Sequence, residues 1–264
     1  MAYAELHCIS NHSFLRGASH PEELVIQAAK LGYQAIAITD ECTMAGAVKA
    51  HVTAKEHAIK LIIGSEFQLE DELLLILLAP NRVGYGQICQ LITTARRRAP
   101  KGEYCLNLKD LEFATNQCIA IWIPGEPRPH HVASSRQLKA FFADRLWLSL
   151  ELFPDGKSIA CYEHVLELSQ QFSLPLVASG DVHMHHSKRR PLLDVVSAIR
   201  MQQSIQFAGR LLFSNGEKYL RPIKQIAELY PPGLLNASCA IADLCHFSLD
   251  ELRYEYPEEL VPPG

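Results

Sequence analysis

Short apolar runs, each followed directly by a polar residue, recur along the chain. They are A-Y-A-E-L before His7, Q-A-I-A-I-T before Asp40, K-L-I-I-G-S before Glu66 and P-L-V-A-S-G before Asp181. Each run is aliphatic or β-branched and is bounded by turn formers, which is typical of a buried strand of a parallel sheet. The pattern therefore predicts strands that end at these polar positions.

Segments with the apolar period of a helix separate and follow these runs. They cover residues 20–31, 44–59, 84–99, 158–172 and 189–203. The alternation of strand and helix predicts an α/β fold, a parallel sheet with covering helices, and the number of repeats favours closure into a barrel. In such barrels the carboxyl ends of the strands carry the chemistry, so we expect the polar residues there to converge on one mouth.

Three local signals modify this plan. Residues 61–79 place Glu70-Asp71-Glu72 between two apolar runs, which predicts a hairpin that interrupts the alternation. Residues 126–135 are rich in Pro, His and Ser and are predicted to form an exposed loop; without carboxylates nearby, His130 and His131 are not expected to bind metal. The run Arg96-Arg97-Arg98 is typical of a solvated helix end, with a phosphate contact as the alternative.

Length and composition limit the classes of function. The 264 residues suit one barrel, predicted over residues 1–250, and a Pro-rich acidic linker over 251–264. A net charge of −4 argues against an autonomous nucleic-acid binder. The eight cysteines form no C-x-x-C pair and are expected to be reduced. With no signal peptide and no membrane span in the sequence, we expect a cytoplasmic location.

The polar residues at the predicted strand ends have the donor atoms of a divalent metal site. Carboxylates and imidazoles can hold two or three ions for phosphoester hydrolysis. The candidate ligands form one set: His7, Asp40, Glu41, Glu66, Asp181 and His183. Side chains two apart on a strand share a face, so Asp181 and His183 form an intact pair, whereas Ile9 stands where a second imidazole would follow His7. Taken singly, each residue is better explained as a helix cap, a loop hydrogen-bonder or a surface charge. Their joint recurrence at five strand ends favours a shared site.

Longer phrases of the sequence carry a family resemblance. They are Y-A-E-L-H-C-I-S-N-H-S-F-L-R-G-A-S-H-P-E-E-L, A-I-T-D-E-C, L-I-I-G-S-E-F, A-S-G-D-V-H-M-H and S-L-D-E-L-R-Y-E-Y-P-E-E-L-V-P-P-G. Together they resemble the N-terminal polymerase-and-histidinol-phosphatase (PHP) domain of bacterial C-family DNA polymerases, in particular of the error-prone branch. The resemblance extends over essentially the whole chain.

The resemblance implies a distorted (β/α)7 barrel, which in active members holds three metal ions and hydrolyses phosphoesters. It assigns ligand positions to His7, Asp40, Glu66, Asp181 and His183. It also implies three departures: Ile9 replaces a histidine, Arg16 replaces an acidic or histidine ligand, and Glu41 replaces the histidine of a T-D-H motif. No His or Cys ends the strands expected to bring the central ligands, and only Glu151 follows them.

Arg16 determines the expectation for activity. A guanidinium stays protonated and can neutralise carboxylates that would otherwise bind metal. We therefore expect no catalytic residues and no required cofactor, with at most one residual Zn²⁺ or Mn²⁺ ion held by His7, Asp181 and His183. The alternatives are an active metal-dependent phosphoesterase or 3′–5′ proofreading exonuclease, and a module that binds DNA or a partner through Arg96–Arg98 or the loop 126–135.

The resemblance also implies partners. The domain would belong to a polymerase chain whose palm and thumb lie elsewhere, with Mg²⁺ used by the palm for nucleotidyl transfer. DNA would be bound through that polymerase, and the sliding clamp and accessory mutagenesis proteins are further expected partners. Damage-induced translesion synthesis would be the role of the whole protein.

Overall fold

A computed structural model describes residues 2–70, 72–114, 116–153 and 158–252. Within these ranges seven strands form one sheet. They are β1 (Ala4–Glu5), β2 (Ala35–Ile38), β3 (Lys60–Gln68), β4 (Leu74–Leu78), β5 (Ile119–Ile123), β6 (Leu146–Leu150) and β7 (Leu176–Ala178). The strands follow one another in the sheet in the order of the sequence.

The sheet is mixed rather than wholly parallel, which corrects the simplest form of the prediction. β4 runs antiparallel to both β3 and β5, with Glu66 opposite Ile76 and Ile76 opposite Ile121, while the other neighbours are parallel. The hairpin expected over residues 61–79 is confirmed and causes the reversal. Two reversals in succession leave β5 pointing the same way as β3, so the later strands still end at the same mouth.

Residues just beyond the first and last strands meet and join the two edges of the sheet. Cys8 and Val182 form a parallel bridge, in which Ile9 N donates to Val182 O at 2.9 Å and Val182 N donates to His7 O at 2.9 Å. Below the bridge, the buried Glu5 carboxylate accepts from His7 N at 3.0 Å and Gly180 N at 2.9 Å. The structure is therefore the distorted seven-stranded α/β barrel that the resemblance implies.

Helices cover the outer side of the strands. They are α1 (Pro21–Lys30), α2 (Ala47–Glu56), α3 (Arg82–Arg97), α4 (Leu111–Ala114), α5 (His131–Phe142), α6 (Ser158–Phe172), α7 (Arg190–Arg200), α8 (Ile205–Ala208), α9 (Ile223–Leu229) and α10 (Pro232–Leu244). The helices predicted at 20–31, 44–59, 84–99, 158–172 and 189–203 are confirmed as α1, α2, α3, α6 and α7. Proline in the first turn and Glu22 and Glu23 near the positive end favour the start of α1.

Successive side chains of a strand point to opposite faces, so the strand residues divide into two apolar clusters. One cluster combines strand residues such as Ile36 and Ile38 with Leu24 of α1 and lies between sheet and helices. The other contains Leu6, Ala37 and residues of α10, and it fills the inside of the barrel. Because α10 contacts both β1 and β7, it closes the end of the barrel opposite the mouth.

The exposed loop expected over residues 126–135 is only partly correct. His131 begins α5 and is 2% exposed, since its ring packs edge-on against Trp122 with centroids 5.4 Å apart. No disulfide joins cysteines in the described ranges, and among those residues no helix is long and apolar enough to cross a membrane. The predicted linker, residues 251–264, lies outside the described residues from 253 onward.

Candidate functional site

The mouth of the barrel collects the polar residues that follow the strands. His7 lies beyond β1, Asp40 and Glu41 follow β2, Glu66 lies within β3, Glu151 directly follows β6, and Asp181 and His183 follow β7. Their convergence was expected because parallel strands end at one edge of a sheet. The distances within this group determine what it can bind.

His7 lies at the centre of the group. Its Nε2 is 2.7 Å from Glu66 Oε2, its Nδ1 is 2.7 Å from Glu151 Oε1, and its side chain is 1% exposed. Burial alone would lower the pKa of His7, but the charges of Glu151 and Glu66 and their hydrogen bonds raise it to about 9. His7 is therefore an imidazolium at neutral pH that donates from both nitrogens, and it offers no lone pair to a metal.

Arg16 bridges two of the predicted ligands. Its Nη1 lies 2.6 Å from Glu41 Oε2 and also donates to Glu66 Oε1. Burial would raise the pKa of the Glu66 carboxyl, yet the Arg16 charge and the hydrogen bond from His7 hold it well below its usual range. Tyr104 Oη donates to the other Glu41 oxygen at 2.9 Å. Both carboxylates are thus already neutralised by cations and donors of the protein.

Asp40 belongs to a separate arrangement. Its Oδ1 accepts from Ser10 N at 2.7 Å and Ser13 Oγ at 2.7 Å, and its Oδ2 accepts from Ser10 Oγ at 2.7 Å. Burial raises the pKa of this carboxyl despite these bonds. The arrangement fixes the loop that carries Arg16, so in this structure Asp40 anchors a loop instead of facing the other candidate ligands.

A lysine that sequence reasoning missed pairs with Asp181. Lys218 Nζ forms an ion pair with Asp181 Oδ2 and lies 4.7 Å from the ring centroid of Phe213. The other oxygen, Asp181 Oδ1, is 2.8 Å from His183 Nε2, and His183 Nδ1 is 3.1 Å from Arg16 O. Burial and then the Arg16 charge lower the pKa of His183 to about 3, so its neutral ring donates to one of these two oxygens.

Backbone conformation is unusual beside these residues. Asp181 itself has φ 45°, Leu15 before Arg16 has φ 59°, and Cys42 after Glu41 has φ 49°. Residues other than glycine rarely adopt this left-handed region, and such strain concentrates at functional sites of folded proteins. The loops that carry the candidate residues are therefore held in shape by their surroundings.

Among the described residues, one set of three has ligand atoms close enough together to hold a single ion. These atoms, from His7, Glu151 and Asp181, lie within 4.8 Å of one another. The set differs from the expected trio in one residue, because Glu151 stands in place of His183, which is engaged with Asp181 and a carbonyl. Glu151 could be suspected from its position after β6, whereas no pattern around Lys218 indicated its role.

The arginine run at the end of α3 serves mainly structural contacts. Arg96 Nη2 donates to Cys42 O at 3.2 Å, and the guanidinium carbon lies 5.2 Å from the ring centroid of Tyr104. Arg98 pairs with Asp110 at 2.6 Å. Of the three, Arg96 and Arg98 are thus engaged within the chain, which modifies the expected solvated helix end, while the phosphate contact stays a prediction.

Comparisons with known proteins agree with this architecture. Residues 5–121 match the family described as PHP domain. Over 99% of the chain, it is 52% identical to an error-prone DNA polymerase of Methylococcus capsulatus and 49% identical to one of Dechloromonas aromatica. A further error-prone DNA polymerase, from Teredinibacter turnerae, is 48% identical over the full chain. The chain spans about a quarter of the length of these curated relatives, 25–26% in each case.

Two solved structures are similar at a lower level. One is described as a metal-dependent phosphoesterase from Bifidobacterium adolescentis, at 19% identity and a TM-score of 0.49, covering 69% of this chain and 87% of that one. The other is an amidohydrolase from Chromobacterium violaceum, at 14% identity and a TM-score of 0.49, covering 69% and 88%.

Proposed function

Because this chain belongs to the PHP domain family, in the form found in error-prone DNA polymerases, we propose that it is the organising domain of such a polymerase and has no nuclease activity of its own. In the whole protein its role would be to support DNA synthesis across lesions during damage-induced mutagenesis. The polymerase reaction itself needs paired carboxylates that hold two Mg²⁺ ions, which a palm domain elsewhere in the whole protein would supply.

One observation carries the proposal for the site. Two cations of the protein pair with carboxylates that could otherwise bind metal, since Arg16 bridges Glu41 and Glu66 and Lys218 pairs with Asp181. An ammonium or guanidinium and a divalent ion compete for the same oxygens, and the side-chain cation is covalently present at high local concentration. When these ion pairs are formed, the carboxylates of the site are compensated without a metal ion.

The donor set does not fit a cluster of three ions. Protonated His7 offers no lone pair, Glu41 and Glu66 share the Arg16 guanidinium, and Asp40 is held by serine donors. Buried Ile9 contributes no donor atom. Each ligand would have to lose a proton or an existing partner before it bound metal, and each such change has an energetic cost.

A second candidate function follows from a different observation. The ligand atoms of His7, Glu151 and Asp181 could surround one ion if His7 lost a proton and Lys218 moved away. One Zn²⁺ or Mn²⁺ ion could then activate a water for phosphoester hydrolysis. This reading makes the domain a phosphoesterase or 3′–5′ exonuclease, and it requires stoichiometric metal.

The two functions are separated by measuring metal content and cleavage on one sample. We would dialyse the purified chain against Zn²⁺ and against Mn²⁺, determine bound metal by mass spectrometry, and assay release of nucleotides from a 5′-labelled single-stranded oligonucleotide. Asp181→Asn, purified identically, identifies any contaminating nuclease. No stoichiometric metal and equal background in both proteins is the expected result. Metal-dependent cleavage that Asp181→Asn abolishes would overturn the proposal.

The partners of the whole protein are part of the same proposal. They are the palm and thumb of the polymerase, DNA bound through it, the sliding clamp and accessory mutagenesis proteins, in the cytoplasm. An organising role predicts that Asp181→Asn in the full-length polymerase leaves primer extension past a template lesion unchanged. A loss of extension with retained folding would instead assign this site a direct part in synthesis.

A further inference from the structure

The outer face of α7 is apolar although it lies on the surface of the domain. Leu192, Val195 and Ile199 stand at positions i, i+3 and i+7, so their side chains form one stripe along the helix. Each of the three is at least 40% exposed. This spacing is typical of a helix that packs against another helix along a narrow seam.

The inner face of the same helix is apolar as well. Leu193 is buried and packs with Ala18 and Met184, which lie in the segments after β1 and β7, and Ala198 is also buried. A surface helix normally has one apolar side, whereas a helix that is apolar on two sides is normally enclosed. Because the barrel covers the inner side of α7, the outer stripe is a surface suited to a further partner.

The stripe continues onto the neighbouring segment. α7 packs against α8, and α8 contacts the turn Gly209–Leu211. Ile205, Phe207 and Leu211 on these elements are 48–79% exposed. Six of the thirteen large apolar side chains that are exposed in the described ranges therefore lie between residues 192 and 211. Single exposed apolar residues are normal, but a cluster of this kind marks an interaction surface. We call these six side chains the apolar face.

The exposed charges beside the apolar face are cationic. Lys188 precedes α7 and Arg200 ends it, and both side chains are exposed. Asp194, the acidic residue of α7, is neutralised by Arg190 at 2.7 Å. A partner with acidic residues at both ends of its own apolar stripe would therefore be complementary to this surface.

The size of the apolar face limits what covers it. Side chains of this size, about half exposed, present on the order of 500 Å² of apolar surface. Obligate homodimers bury about 2,000 Å² or more in total, so the face is small for a second copy of the chain. Contacts between domains of one polypeptide bury about 600–1,500 Å² in total, about half on each side, and the apolar face matches that size.

The length of the relatives leaves room for such a partner. This chain spans 25–26% of the length of the error-prone DNA polymerases to which it is similar, so the greater part of each relative lies outside the matched region. A segment of the same polypeptide is held nearby at an effective concentration that reaches about the millimolar range. It can therefore occupy a face that a separate protein would bind only weakly.

We propose that a helix of the same polymerase polypeptide, from outside residues 1–264, covers the apolar face. This helix packs along Leu192, Val195 and Ile199 and places acidic residues near Lys188 and Arg200. The proposed function, in which the chain is one domain of a longer polymerase, is the premise of this assignment. The apolar face is then the surface through which the rest of the polymerase holds the domain.

Photo-crosslinking in the full-length polymerase identifies what covers this face. With p-benzoylphenylalanine in place of Val195, we expect a crosslink at monomer mass to a residue beyond 264, which peptide mass spectrometry locates. The matched position is Val48 on α2, which is also exposed and should form no such crosslink. From position 195, a crosslink at dimer mass, a crosslink to residues 253–264, or no crosslink would overturn the proposal, as would equal yields from the two positions.

Amide hydrogen exchange provides a second measurement. Val195→Gln combined with Ile199→Gln removes two side chains of the apolar face, while glutamine keeps a high helix propensity. In the full-length polymerase the amides of α7 should exchange at least about tenfold faster in this variant, because an uncovered helix opens more readily. Val48→Gln combined with Val52→Gln has the same spacing on α2 and should leave exchange in α7 unchanged. An unchanged rate in the first variant, or equal acceleration in the second, would contradict the proposal.

Both measurements are independent of metal content and cleavage. Metal-dependent nuclease activity would overturn the proposed function, and the crosslink from position 195 would still decide what covers the apolar face. If cleavage is absent and no crosslink forms, the organising role is retained and only the assignment of the apolar face is wrong.

Discussion

Arg16 donates a guanidinium hydrogen bond to Glu66, a carboxylate that is fully buried. The other oxygen of Glu66 lies 2.7 Å from protonated His7, so two cations of the protein share one buried anion. A buried carboxylate needs such compensation or a metal ion, because desolvation disfavours its charged form. In this barrel the compensation is covalently part of the chain.

Removal of the Arg16 charge should therefore destabilise the fold. In Arg16→Met the stem is retained, but Glu66 and Glu41 lose their shared cation. We expect the free energy of unfolding, from urea titration at pH 7, to fall by about 3 kcal/mol, the usual effect of leaving a buried charge without its partner. Arg98→Met removes an exposed pair with Asp110 and should change stability far less. Equal losses in the two variants would show that Arg16 is not compensating a buried charge.

Restoration of metal binding should require three changes. Ile9→His with Arg16→Asp rebuilds two ligand positions but retains Lys218 beside Asp181. Adding Lys218→Gln removes this second cation, and we expect the triple variant to bind Mn²⁺ at least about tenfold more tightly than the double variant, a difference of ~1.4 kcal/mol. Isothermal titration calorimetry measures both affinities. If double and triple variants bind equally, Lys218 is not a competitor of the metal.

Much of this site could be predicted from sequence, and the limit has a physical reason. His7, Glu66 and Asp181 were found because strand ends meet at one edge, a rule that depends only on strand order. Lys218 lies in an irregular segment between α8 and α9, where no period relates a residue to the barrel. Its position depends on tertiary packing against Phe213, which sequence pattern does not encode.

The fold shows the same division between local pattern and tertiary packing. Two apolar runs around acidic turn residues predicted the hairpin over 61–79. In the structure this hairpin makes β4 antiparallel to its neighbours. The sequence did not predict the start of α5, because Pro and His around residue 130 are typical of loops. In the structure His131 begins α5 and is buried against Trp122, a tertiary contact that a local sequence pattern does not encode.

The protonation of His7 should make stability depend on pH. Its pKa in the folded chain, about 9, lies above the ordinary value of 6.5, so the stabilisation is complete below pH 6.5 and is lost as pH rises through 9. In buffer with a chelator, the free energy of unfolding should decline over this interval by roughly 3 kcal/mol.

His7→Gln should remove that decline, while His57→Gln, at an exposed position, should retain it. Urea unfolding titrations at about pH 6, 7.5 and 9 cover the pH range over which the decline is expected. A steep alkaline decline in His7→Gln would assign the dependence to another group and would argue that His7 is neutral in the folded chain.

The loop that carries Arg16 should not tolerate a side chain at Gly17. A Cβ at this position would overlap the Ser10 carbonyl, which belongs to the backbone and cannot rotate away. Ser10 also donates to Asp40, so a shift of the loop would disturb that anchor as well. We expect Gly17→Ala to lower the free energy of unfolding by about 2–3 kcal/mol, as overpacking does elsewhere.

Gly86→Ala is the matched control for this prediction. Gly86 lies in α3, and a Cβ there would meet nothing within 4 Å. The same change should therefore raise stability by about 0.5–1 kcal/mol, because alanine loses less conformational freedom than glycine when a helix forms. Opposite signs for the two alanine variants are the expected result of urea titration. If Gly17→Ala leaves the free energy of unfolding unchanged, the loop relaxes around the added Cβ. The ion pair of Arg16 with Glu41 would then not depend on the Asp40 anchor.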